Sequence, residues 1–145
     1  MIDRISLAAV LFAVLVSGLY AAPTPIILDM QGRSEAVLDS LIALQAQSVQ
    51  AQTPQAMIEV IDQLAAPLSE MVRMDVHVDR LSQQQGNPDD KEHWATLLSN
   101  MRQIGIALES INVELERFAD DDGVREAYDQ LEETLKQAYL EEANK

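Results

Sequence analysis

Trp94, Leu97, Met101, Ile104, Leu108, Ile111, Leu115 and Phe118 follow one another in alternating steps of three and four. That period lays one apolar seam along a helix, and the seam is buried only against other helices carrying matching seams. A second segment also steps by threes and fours, through Met57, Ile61, Leu64, Leu68, Met71, Met74, Val78 and Leu81. It opens on Thr53-Pro54, a capping residue followed by a proline in the first turn. Pro67 interrupts it, removing one backbone donor and crowding the preceding turn. Because the seam continues past Pro67, the spacing predicts a kink near residues 63–67 rather than two helices. No stretch alternates with the two-residue period of a strand.

Two flanking segments complete the set. Ser34 to Gln50 carries Val37, Leu38, Leu41, Ile42, Leu44 and Val49, a wide apolar face. Beyond Gly123, the residues Val124, Tyr128, Leu131, Leu135 and Ala138 form a fourth stripe. Short connections between four amphipathic helices imply antiparallel neighbours. The predicted fold is therefore all-α, an antiparallel up-down-up-down four-helix bundle over residues 34–145, with helices at about 34–50, 54–84, 88–119 and 123–143. Asn87-Pro88-Asp89-Asp90 supplies the cap, proline and acidic first turn of the third helix. Residues 23–33 read as a linker. At 1.5 Å per residue the middle helices reach about 45 Å and the outer ones about 30 Å, so the middle hairpin overhangs by about 15 Å. Ile26-Ile27-Leu28 is the apolar segment placed to cover that overhang, beside Trp94.

The N-terminus is an address. Ile5–Ala22 contains no charged residue and is followed by Pro23-Thr24-Pro25. A secretory signal and a membrane anchor both fit, the run lying between the roughly 15 residues of one and the roughly 20 of the other. Cleavage after Ala21 would use Leu19 and Ala21, and cleavage after Gly18 would use Val16 and Gly18. Either way, residues 23–145 are expected outside the cytoplasm, in a bacterial periplasm, soluble after cleavage or tethered to the inner membrane. Absence of cysteine and of Asn-x-Ser/Thr acceptors favours that compartment over a eukaryotic secretory route.

With 24 acidic and 10 basic residues the chain has a formal charge of −14. Nucleic acid and anionic lipid headgroups are unsuitable partners for such a surface, since both are bound through basic patches. Without cysteine there is no disulfide framework, thiolate zinc site or cysteine nucleophile. No nucleophile elbow or glycine-rich phosphate loop is present, so an enzyme is not expected, nor a cofactor.

Two groups of residues are candidates for a site. Met71, Met74 and His77 form M-x-x-M-x-x-H on one helix, with His93 on the next; thioethers and imidazoles suit Cu(I). The plain alternative is that Met71 and Met74 fill gaps in the seam. The Glu-x-x-His pair of di-iron bundles is absent, because Met74 and Asp90 stand three residues before the histidines. Asp120-Asp121-Asp122 lacks the alternating spacing of a calcium loop and reads as a capped turn. The second group comes from uneven charge. Between Ser34 and Val72 there is no Lys or Arg, and the only acids are Glu35, Asp39, Glu59, Asp62 and Glu70. Depletion of charge marks protein-contact surfaces, which nominates Gln45, Gln52, Gln55 and Glu59.

Ala51-Gln52-Thr53-Pro54-Gln55-Ala56-Met57 and Gly123-Val124-Arg125-Glu126-Ala127 resemble stretches of the small periplasmic four-helix b-type cytochromes. The resemblance implies a four-helix fold, with haem held by a methionine early in the first helix and a histidine late in the last. Residues 124–145 contain no histidine, and Met30 precedes the first predicted helix, so the fold carries over without the haem site. The expected function is a non-catalytic exported module that binds a protein partner, or itself, through its charge-poor first two helices. A periplasmic carrier of copper or haem is the alternative.

Overall fold

The computed structural model describes residues 24–82 and 91–145. It consists of α1 (Thr24–Gln50), α2 (Pro54–Ser82), α3 (Lys91–Leu115) and α4 (Asp122–Ala143), with a 3-10 turn at Glu116–Phe118 continuing α3. No strand occurs among the described residues. The described residues are all-helical, four helices sharing one core. The segment Ile5–Ala22 and the start at Asn87-Pro88-Asp89-Asp90 lie outside the described residues.

The first helix differs most from its prediction. It runs from Thr24 rather than 34, taking in the segment read as a linker. The reason is visible once burial is known. Ile27, Met30, Ser34, Val37, Leu41, Leu44, Ser48 and Ala51 are all buried, in alternating steps of three and four. Two serines hold positions in that seam and disguise it. Each is satisfied within its own helix, Ser34 Oγ donating to Gln31 O at 2.7 Å and Ser48 Oγ to Gln45 O at 2.8 Å. Pro25 falls in the first turn, where its missing N–H costs nothing. Ile27 and Met30 are fully buried, and Ile26 packs against the core. Leu28 is exposed, and it is Met30, further along α1, that lines a cavity together with Trp94.

α2 is one helix from Pro54 to Ser82 with Pro67 inside it. Thr53 starts it, its Oγ1 accepting from Ala56 N at 3.2 Å. α3 buries Trp94, Leu97, Met101, Ile104, Leu108, Ile111 and Leu115, the predicted seam, and partly buries Phe118. Asp121 caps α4, its Oδ1 accepting from Val124 N at 3.0 Å, so the acidic run acts as a helix start. α4 buries Val124, Ala127, Tyr128, Leu131 and Ala138.

Neighbours in space are not simply neighbours in sequence. α1 packs most extensively on α3 and α2 on α4, with α1 and α2 also in contact. Polar links fix the register of the first pair. His93 Nδ1 lies 3.0 Å from Gln31 Oε1, and Asn100 Nδ2 donates to Ser34 Oγ at 2.9 Å. Residue numbers rise together across these links, so α1 and α3 run in the same sense. Between α2 and α4, a Cβ on Gly123 would lie 3.2 Å from Ile58 Cδ1, so the two helices start side by side. Arg33 Nε meets Glu70 Oε1 at 2.5 Å and ties α1 to α2. The most extensive contacts join helices two apart in the chain.

Candidate functional site

The protein-contact candidates gather at one end of the molecule, where α1 turns into α2. Gln45 is half-buried near the end of α1. Gln52 is exposed in the connection, and Gln55 and Glu59 are exposed on the first turns of α2. Gln63 Nε2 reaches back to Glu59 O at 3.0 Å. Ser40 through Ile58 contains no ionisable side chain at all. In that stretch α1 exposes Ile42 and Val49, each 52% accessible and one heptad apart. Sequence reasoning counted both as core because it assigned α1 a wide apolar face. The signal that separates them is the serine-containing seam: once Leu41 and Ser48 take the inward positions, Ile42 and Val49 are left outside. α3 shows a second outward pair with the same step, Ile106 and Val113.

Met71 and Met74 are buried in α2, while His77 and His93 are half-buried. His93 is engaged by Gln31 of α1. Among the described residues no group of three His, Cys, Asp or Glu side chains is placed to hold a metal ion. Met74 instead lines a small cavity of about 10 Å3, room for about one water-sized occupant. Its walls include Met30 from α1, Met74 and Asp75 from α2, and Trp94 and Met101 from α3. Met30, which the sequence reading placed ahead of the first helix, thus stands inside α1 and at a buried junction of three helices. The Trp94 Nε1–H is buried and has no hydrogen-bond partner in the protein.

Electrostatic perturbation is sparse. Burial acts to lower the pKa of Arg33, but hydrogen bonding and attraction to Glu70, with Asp29 adding, prevail and raise it. Burial, assisted by Glu132, pushes the Tyr128 phenol up to about 12. Neither residue lines the cavity or the uncharged corner. Both perturbations serve structure: an ion pair between helices and a phenol in the core.

Among the described residues no helix is long and apolar enough to cross a membrane. No protein-family model matches the chain, and neither the curated proteins nor the solved structures give a match.

Proposed function

We propose that this chain is a non-catalytic exported helical-bundle module whose task is protein contact, and that its contact partner is a second copy of itself. The four helices form an up-down-up-down bundle, as the co-directional α1–α3 contacts and the three-residue α1–α2 connection support. One observation carries the functional reading: the uncharged run Ser40–Ile58 with Ile42 and Val49 exposed upon it. Two chains of charge −14 repel one another, and this corner is where they can approach without opposing ionised groups. Apolar residues one heptad apart suit a helix-on-helix contact, and the same patch on both copies gives a closed two-fold dimer. Gln45, Gln52, Gln55 and Glu59 then form the polar rim. Ile5–Ala22 acts as the export signal or the tether, placing the module in the periplasm or on its membrane.

Light scattering coupled to size exclusion tests this reading. A protein mass near twice the 16.1 kDa of one chain is expected, falling to one chain's mass when Ile42 and Val49 are both changed to Lys. Gln45→Lys with Gln52→Lys should weaken assembly less. A single-chain mass at every concentration, or a dimer untouched by the Ile42→Lys/Val49→Lys pair, overturns it. The carrier reading is favoured by a different observation, the methionine-lined cavity, developed next.

A further inference from the structure

We propose that the cavity between α1, α2 and α3 is a binding site for one soft monovalent cation, Cu(I) or Ag(I), held by the thioethers of Met30, Met74 and Met101 against the Trp94 indole. The inference is independent of the dimer reading, because the cavity lies in the core and the contact corner does not include it. Three features of the site point the same way.

The donors are matched in kind. Three of the cavity's side chains are methionines, contributed by three different helices. Thioether sulfur is a neutral, polarisable donor that favours d10 monovalent ions over Mg2+, Ca2+ or Zn2+.

The position is also suitable. All three methionines are almost fully buried, so a cation there is screened from competing water. The Trp94 ring is buried beside them, and aromatic faces attract cations electrostatically. Asp75 lines the same cavity through its apolar atoms, which leaves the thioethers as the donors. Asp75 and Leu98 are the lining residues that are partly exposed.

The size limits the occupant. A cavity of about 10 Å3 accepts a single ion or water and excludes haem or any organic ligand without repacking of the core. The site also differs from the M-x-x-M-x-x-H grouping: it includes Met74 but not Met71, His77 or His93. Met71 is buried at a neighbouring seam position, as a gap-filling methionine is.

Trp94 is the sole tryptophan, so its emission reports the cavity directly. The full chain is titrated with Ag(I), which needs no reductant, and with Cu(I) under anaerobic conditions against a chromophoric competitor. The expected result is saturable quenching of Trp94 at one ion per chain, a raised melting temperature, and no response to Zn(II). Met74→Leu and Met101→Leu should each weaken Ag(I) binding at least tenfold, whereas Met71→Leu and His77→Ala should leave it unchanged. Leucine approximates the volume of methionine, and far-UV circular dichroism of each metal-free variant verifies its fold. The proposal is overturned by no quenching, by equal response to Zn(II), by folded Met74→Leu and Met101→Leu variants that bind as the parent does, or by equal loss in Met71→Leu.

Discussion

α1 and α4 meet the core in the same way and meet solvent in opposite ways. Each presents a buried seam, through Ile27, Met30, Val37, Leu41 and Leu44 in one and Val124, Tyr128, Leu131 and Ala138 in the other. Outside, α4 is laced with short-range pairs. Arg125 bonds to Asp122, Lys136 Nζ lies 3.4 Å from Glu133 Oε2, and Gln137 Nε2 donates to Glu133 Oε1 at 3.0 Å. α1 has no such lacing from Ser40 to its end, a stretch that is uncharged and exposes Ile42 and Val49. α4 does expose Tyr139 and Leu140, but Lys136, Glu141 and Glu142 surround them. The inward periodicity therefore says how each helix folds, and the outward chemistry says what it is for. A solvated face repels association, whereas a bare one permits it.

The inner equivalence is the part of this comparison that carries the largest free energy. Leu41 is fully buried in α1 and Leu131 nearly so in α4. Each truncation to Ala should cost about 2–5 kcal/mol in chemical denaturation, from lost transfer energy and the cavity left behind. A Leu41→Ala cost below about 1 kcal/mol would mean that α1 is only loosely attached to the bundle, ending the equivalence.

A smaller effect distinguishes the two seams by chemistry. Tyr128 puts a titratable group in the α4 seam, where the α1 seam has none. Burial, with the nearby Glu132 carboxylate, raises its pKa to about 12. The core accepts the neutral phenol and resists the phenolate, so the contribution is whole below the ordinary value near 10 and is lost as pH climbs from there to about 12. The loss should be on the order of 2–3 kcal/mol. Tyr128→Phe should flatten the stability profile across that window. An identical alkaline decline in the Phe variant would assign the loss elsewhere.

The helix starts rank next. Asp121 and Thr53 each accept from a backbone N–H three residues on, opening α4 and α2. Asp121→Ala and Thr53→Ala should each destabilise by about 1 kcal/mol in thermal or denaturant unfolding. Asp121 adds a charge that complements the helix dipole, so its replacement should cost the more and should be the more sensitive to salt. Equal, salt-insensitive losses would remove that electrostatic share.

The helices of this molecule were legible in the sequence to the degree that their seams were made of hydrocarbon. α3 announces every buried position from Trp94 to Leu115 except Ala107, and α2 remains readable across Pro67 because one lost hydrogen bond does not reset the period. α1 was half legible. Ser34 and Ser48 bury as well as Leu when their hydroxyls bond back to the preceding turn, and no hydropathy pattern reveals that in advance. The cost was the first ten residues of the helix and the status of Met30. The pairing of helices was hidden for a different reason. Amphipathic spacing defines an inward direction without naming the occupant, whereas Gln31–His93 and Ser34–Asn100 are contacts across more than sixty residues. The same limit hid the methionine cavity, since Met30, Met74 and Met101 share no local motif.

The smallest effect on folding is also the most discriminating. Ile42 and Val49 are half exposed, so changing both to Lys removes little buried area and should leave the stability of one chain within about 0.5 kcal/mol per site. The same Lys pair at Gln130 and Gln137 on α4 should be equally neutral for folding. Association separates the two faces. Lysines at 42 and 49 put four like charges at the centre of a two-fold contact whose named ionised residue is Glu59 at the rim, and that repulsion cannot be relieved by a small shift of the helices. Lysines at 130 and 137 join a face already full of acids and should, if anything, bring two chains closer. Sedimentation velocity on the two pairs therefore gives opposite signs if α1 is the contact face. Equal sedimentation of both would show that the bare outer side of α1 is merely soluble, and the contrast with α4 would then be one of composition alone.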